Sequence, residues 1–159
     1  MKSSAAILLS CVAFVTANFD LYIGQQTGTT PEGGNEDMWN IYPSDPSCSD
    51  VYTARNYFGR DDVSGQIGVR CDGAGCFGGN SPADVDVLEM HFGDNPKYHW
   101  TIYKDRNYDM YGLDENVYGN CVPFPGNEYS CNQGQAIFDG VRKFRCITEF
   151  TVDQIEAAE

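Results

Sequence analysis

Glu89, His91 and His99 lie in or beside the stretch LEMHFGDNPKYHW, Leu88 to Trp100, and their types and spacing suit proton transfer. Imidazole exchanges protons readily near neutral pH, and a carboxylate beside it orients the ring and balances its charge. Whether the three converge depends on a hairpin. Gly93-Asp94-Asn95-Pro96-Lys97 has the composition of a five-residue turn, which sets Phe92 against Tyr98, His91 against His99 and Glu89 against Thr101. Strand side chains alternate between the two faces of a sheet. One face then carries Leu88, Met90, Phe92, Tyr98, Trp100 and Ile102, each worth roughly 1.5–3 kcal/mol on full burial. A one-residue slip would turn all six toward water, so the register is well specified. Glu89, His91, His99, Thr101 and Tyr103 are left on the other face. Polar residues also belong on a solvated sheet face, so the group needs a third member, Arg145 or Arg70, to read as a site.

Further along, Asp105, Asn107 and Asp109 alternate and are followed by Asp114 and Asn116, echoing the oxygen ligands of a calcium loop. The turn glycine falls at Gly112 and the closing residue is Asn116 in place of Glu. The competing expectation is an Asn/Asp-rich turn that caps its own backbone. Tyr103 stands at the end of the hairpin, and Tyr108, Tyr111, Tyr118 and Tyr129 stand in loops. Such rings stack on sugar faces, join protein interfaces, or anchor long loops to a core. Arg142, Lys143 and Arg145 form the basic cluster of VRKFRC, either an internal counter-charge or a patch for an anionic partner. Neither Gly-x-Ser-x-Gly nor His-Glu-x-x-His occurs.

The elements that must position these residues begin with MKSSAAILLSCVAFVTA, residues 1–17, whose single lysine, apolar run and Val15-Thr16-Ala17 end predict a secretory signal. The run is shorter than the about 20 apolar residues that span a bilayer. Residues 18–159 are expected to form one soluble extracellular domain. Lys2 leaves with the signal, taking the net charge of −13 one unit lower. That field repels phosphate backbones and disfavours nucleic acid as a partner except as a substrate. Cys11 also leaves, so Cys48, Cys71, Cys76, Cys121, Cys131 and Cys146 remain as an even set suited to three disulfides in an oxidising compartment. The Cys71–Cys76 and Cys121–Cys131 spacings permit local bridges without demanding them.

Strands are predicted at NFDLYIG, MWNIYP, QIGVRC, on both arms of the hairpin and at VRKFRCITEF. SDPSCSDVYTARNYFG, with Ser47 three residues before Asp50, predicts the one helix, running to Gly59. SPADVD suits a capped single turn, the QQTGTTPEGGNED stretch a surface loop, and TVDQIEAAE a frayed tail. The expected fold class is α+β: a single disulfide-stabilised domain dominated by an antiparallel sheet, with one short helix.

Two resemblances follow from these residues. Glu89, His91, His99, Tyr103 and Arg145 supply the residue types of the secreted fungal guanyl-specific ribonucleases, in which a Glu base, a His acid, a second His, a Tyr and an Arg line an antiparallel sheet. In that family the Glu and the histidines come from well-separated strands, whereas here they lie within eleven residues. More broadly, the signal, the acidic domain, the six cysteines and segments such as DDVSGQIGVRCDGAGC, YHWTIYKDRNYDMYGLDENVYGNC and GVRKFRC resemble the small secreted cysteine-rich proteins of filamentous fungi, many of them candidate effectors. That class implies a location and supplies no catalytic residues. The expectation is therefore a secreted monomer that binds an extracellular protein or glycan, a host or cell-wall component. The alternative is a small hydrolase of ribonuclease type, with Glu89 or His91 as base, His99 as acid and Arg145 steadying phosphate charge. Third comes a calcium-dependent sugar binder using Asp105, Asn107, Asp109 and Asp114.

Overall fold

A computed structural model describes residues 17–28 and 37–158. The expected signal therefore lies outside the described residues except for Ala17, and so does most of the loop that follows Thr27. Among the described residues there are ten antiparallel strands: β1 (Ala17–Thr27), β2 (Asp37–Tyr42), β3 (Tyr57–Phe58), β4 (Gly68–Gly73), β5 (Val85–His91), β6 (His99–Tyr103), β7 (Asp109–Gly112), β8 (Val117–Pro123), β9 (Glu128–Gln133) and β10 (Ala136–Thr148). They run in the order β3-β2-β1-β10-β8-β7-β6-β5-β4, with β9 continuing the line of β8 along β10. The two ends of this path meet. Gly59, just past β3, bridges Val69 of β4, and the Arg60 N–H donates to the Val69 carbonyl at 3.0 Å. The sheet is a nearly closed barrel, which leaves little unpaired edge.

This corrects the expected α+β class with one helix: the described residues are mostly antiparallel β, with two short α-helices among them, α1 (Cys48–Thr53) and α2 (Val152–Glu156), and four 3-10 turns. The Ser47/Asp50 capping box forms as expected, but α1 ends at Thr53 because Tyr57–Phe58 pairs with β2 instead of continuing the helix. The tail is not frayed. Thr151 and Gln154 make a second capping box, and Val152 and Ile155 of α2 are buried against the barrel core.

Parity built the inside. Leu88, Met90, Phe92, Trp100 and Ile102 are fully buried and Tyr98 is half-buried against them. Phe19, Leu21, Trp39, Ile41 and Phe144 complete the filling from the opposite wall. The outside of that wall is covered as well. Tyr22, Tyr42 and Cys131 pack beneath Val51 of α1 as a second cluster, so both faces of β1 are dry. Tyr129 packs against Gly24 and Gly140, where a Cβ would strike its hydroxyl and its ring respectively.

One irregularity shapes the basic cluster. Between β1 and β10, Leu21 pairs Phe144 while Tyr22 pairs Arg142, which leaves Lys143 as the extra residue of a bulge. Its side chain is buried and its ammonium donates to the carbonyls of Phe77 (2.6 Å), Gly78 (3.2 Å) and Asn80 (2.6 Å). Burial pulls its pKa down. The glycine loop beyond Cys76 is thus wrapped around a lysine. Arg142 and Arg145 are counter-charges to buried Asp20.

The six cysteines form three disulfides, Cys48–Cys131, Cys71–Cys76 and Cys121–Cys146. The local bridge at Cys71–Cys76 is made. The one permitted between Cys121 and Cys131 is not, because Cys121 sits directly opposite Cys146 across β8 and β10. Such bridges belong to an oxidising compartment. No helix among the described residues is long and apolar enough to cross a membrane.

Candidate functional site

The hairpin register is the one that parity requires: Glu89 opposite Thr101, Met90 opposite Trp100, His91 opposite His99. On its outer face the two imidazoles stack, with centroids 4.4 Å apart and planes 15° from parallel. His99 Nε2 donates to Glu89 Oε1 at 2.9 Å, and His91 Nδ1 donates to the Val63 carbonyl at 2.7 Å. A carboxylate and a carbonyl only accept here, so these two nitrogens carry the protons. The expected third group is Arg70, which stands opposite Glu89 on β4 and donates from Nε to Glu89 Oε2 at 3.2 Å. A second contact, Arg70 Nη1 to Asp72 at 3.2 Å, continues the chain of charges.

Glu89, His91, His99 and Arg70 therefore converge. Arg145 does not join them: β8 and β7 stand between β10 and β6, and both ends of the Arg145 guanidinium are held by Asp20 at 2.7 Å. The segment between β3 and β4 folds over the histidines, with Val63 fully buried, and leaves His99 only 3% exposed. This is a satisfied polar cluster under a strap, not an open cleft.

The tyrosines divide. The Tyr108 hydroxyl donates to the carbonyls of Ala83 and Val85 at 3.2 Å, so this residue anchors its loop to the core. Tyr118 donates to Asp114 Oδ2 at 2.8 Å and packs against Phe150. Tyr129 belongs to the second cluster with Tyr22 and Tyr42. Tyr103 and Tyr111 instead stand half-exposed on the outer face, edge to face at 6.2 Å. The Arg106 guanidinium lies 4.6 Å from the first ring centre and 5.2 Å from the second. Tyr111 is opposite Thr101, Thr101 opposite Glu89 and Glu89 opposite Arg70, so aromatic, hydroxyl and charged groups form one row across β7, β6, β5 and β4. Arg106 carried no sequence signal. It reaches the rings because the 3-10 turn Lys104–Arg106 ends at Asn107 in the left-handed region, φ 55°.

The Asp/Asn segment caps itself. Asp114 accepts from the Tyr118 hydroxyl and from the side chain and backbone of Asn116, which together hold its carboxyl below the usual carboxylate range. Asp109 accepts from Asn120 at 2.9 Å, and Asn107 offers its carbonyl to the same amide. Asp105 sits in the 3-10 turn before them. Among the described residues no group of three or more His, Cys, Asp or Glu side chains is placed to hold a metal ion. Compared with known proteins, the chain matches no family model, no curated protein and no solved structure.

Proposed function

We propose that this protein is secreted and acts outside the cell by binding a glycan on the outer face of β5 to β8. The observation that carries this reading is the pair Tyr103 and Tyr111, half-exposed on the outer face and edge to face, with Arg106 across them. Aromatic faces stack on sugar rings, and a guanidinium offers up to five N–H donors to hydroxyl or carboxylate oxygens. Thr101 and Asp109 flank the rings and supply further hydrogen-bonding groups. The three disulfides and the N-terminal signal pattern support the extracellular setting. Sedimentation of the protein with a panel of insoluble polysaccharides, and affinity electrophoresis with soluble ones, tests the reading. Retention by at least one glycan is expected, with Tyr111→Ala weakening it tenfold or more. Retention by none, or equal retention of the variant, overturns it.

A second reading, a hydrolase of ribonuclease type, draws on the Arg70–Glu89–His99 chain beside stacked His91. Binding is favoured over it because Arg70, Glu89 and His99 already satisfy one another, His91 is bonded to the Val63 carbonyl, and His99 is buried. Incubation with RNA separates the two: this reading requires cleavage that disappears in Glu89→Gln, and an inert wild type removes it.

A further inference from the structure

Arg106 narrows the kind of sugar that fits the outer face. Its guanidinium stands over the Tyr103 ring at 4.6 Å and over the Tyr111 ring at 5.2 Å, so two aromatic groups hold it in place. Contact with a ring restrains the side chain without using its donors, because the attraction acts through the positive charge and leaves the N–H bonds for other acceptors. Among the described residues those donors are not taken. Arg106 is exposed, is in no salt bridge and makes no side-chain hydrogen bond.

Its surroundings are acidic, yet the carboxylates there are engaged elsewhere. Lys104 lies between Asp84 and Asp86, at 4.0 and 3.9 Å. Arg70 and His99 hold Glu89, and Arg70 also meets Asp72 at 3.2 Å. Asp109 accepts from the Asn120 amide at 2.9 Å. Asp105 is exposed and precedes Arg106 in the same 3-10 turn. Three residues complete such a turn, so the two side chains leave it about 120° apart. The charge left without a partner on this face is therefore a fixed guanidinium flanked by two tyrosines.

A guanidinium presents paired N–H bonds in one plane, and the acceptor that matches them is a planar group with two oxygens, a carboxylate. In a hexuronic acid that carboxylate is attached at C5, at the edge of the pyranose ring. A ring stacked on tyrosine then brings its acid group to the side, where Arg106 stands. We propose that the sugar bound on this face is a hexuronic acid unit, its ring against the tyrosine pair and its carboxylate on Arg106. The proposal rests on the glycan-binding reading and adds to it a choice of acidic over neutral sugars. The net charge of −13 opposes an anion at long range. At physiological ionic strength charges more than about 8 Å away are largely screened, and the contact with Arg106 decides.

The test is calorimetric titration of the whole protein, at that ionic strength, with trimers of galacturonate, glucuronate and mannuronate. Each is paired with its carboxyl-reduced counterpart, which carries CH2OH in place of the acid. At least one acidic trimer should bind tenfold or more tighter than its neutral counterpart, as expected for hydrogen bonds to a charged group. In Arg106→Gln that preference should vanish, whereas Tyr111→Ala should weaken both members of the pair. Lys104→Gln, which removes a neighbouring cation already held by two carboxylates, should leave the preference unchanged. Equal binding of acidic and neutral trimers by the wild type, a preference that survives Arg106→Gln, or the same loss in Lys104→Gln overturns the choice of acidic sugars and leaves the glycan reading standing. So does retention by neutral polysaccharides when no uronide binds. Failure of every glycan to bind removes both together.

Discussion

Replacing Asp20 by alanine is expected to destabilise the protein by about 3–5 kcal/mol, the cost typical of breaking a buried ion pair from one side. Asp20 is 1% exposed on β1 and accepts from Arg142 Nη1 at 3.0 Å and from Arg145 Nε and Nη2 at 2.7 Å each. Arg142 is itself buried, with Phe124 against its guanidinium at 3.9 Å, so it cannot turn to water. It keeps Asp45 and the Phe124 carbonyl, but two cations then share one partly exposed carboxylate. Asp20→Asn should lie between wild type and Asp20→Ala, because it retains the shape and one acceptor without the charge. Urea titration of the three proteins measures this. A loss below about 1 kcal/mol for Asp20→Ala would mean that water replaces the carboxylate, and that the basic cluster is not held as an internal counter-charge. The barrel, not a binding surface, should fail first, because β1–β10 is the longest pairing in the sheet, from Ala17↔Thr148 to Thr27↔Ile137.

That network also shows where sequence reasoning stops. Alternation fixed Leu88 to Ile102 with the correct facing pairs, because a hairpin is local and its parity has two outcomes, only one of which buries Trp100. Arg70 and Arg145 were equally plausible third members of the histidine group. Choosing between them needs the strand order, a product of non-local pairing that no single segment encodes. In NFDLYIG, Phe19, Leu21 and Ile23 alternate with Asp20 and Tyr22, and alternation reports one buried face but cannot foresee α1 and β9 covering the other. The bulge at Lys143 was invisible for a related reason. VRKFRC alternates well from Phe144 onward, and the extra residue arises only in the register against β1. The expected α+β class erred in the Asn-, Gly- and Tyr-rich stretch from Asp105 to Gln135, which has poor strand propensity and yet supplies β7, β8 and β9. Pairing to neighbours, not intrinsic preference, makes those strands. The aromatic site was half legible: the tyrosines were named, but which of them faced water depended on backbone conformations such as φ 58° at Tyr108, which turns that ring inward.

Removing the Cys48–Cys131 bridge as Cys48→Ser/Cys131→Ser is expected to cost about 4–5 kcal/mol, whereas Cys71→Ser/Cys76→Ser should cost only about 2 kcal/mol, on the chain-entropy account of loop closure. The first bridge joins residues 83 apart and the second residues 5 apart. A structural reason adds to the difference. α1 has six residues, far below the roughly 12–15 that an isolated helix needs in water. Beyond the bridge it is held by its capping box, by buried Val51 and by the Tyr52 hydroxyl on the Asn132 carbonyl at 2.7 Å. With the bridge gone, hydrogen exchange at Val51 and Tyr52 should accelerate far more than exchange at Leu88 or Trp100. Tyr22 and Tyr42, which pack under the helix, should become accessible together. The variant should keep any glycan bound beside Tyr111, because β6 and β7 are untouched by the bridge. Urea titration of both double variants decides the matter. Equal losses would show that local packing around each bridge, and not the length of chain it closes, sets what the disulfides contribute.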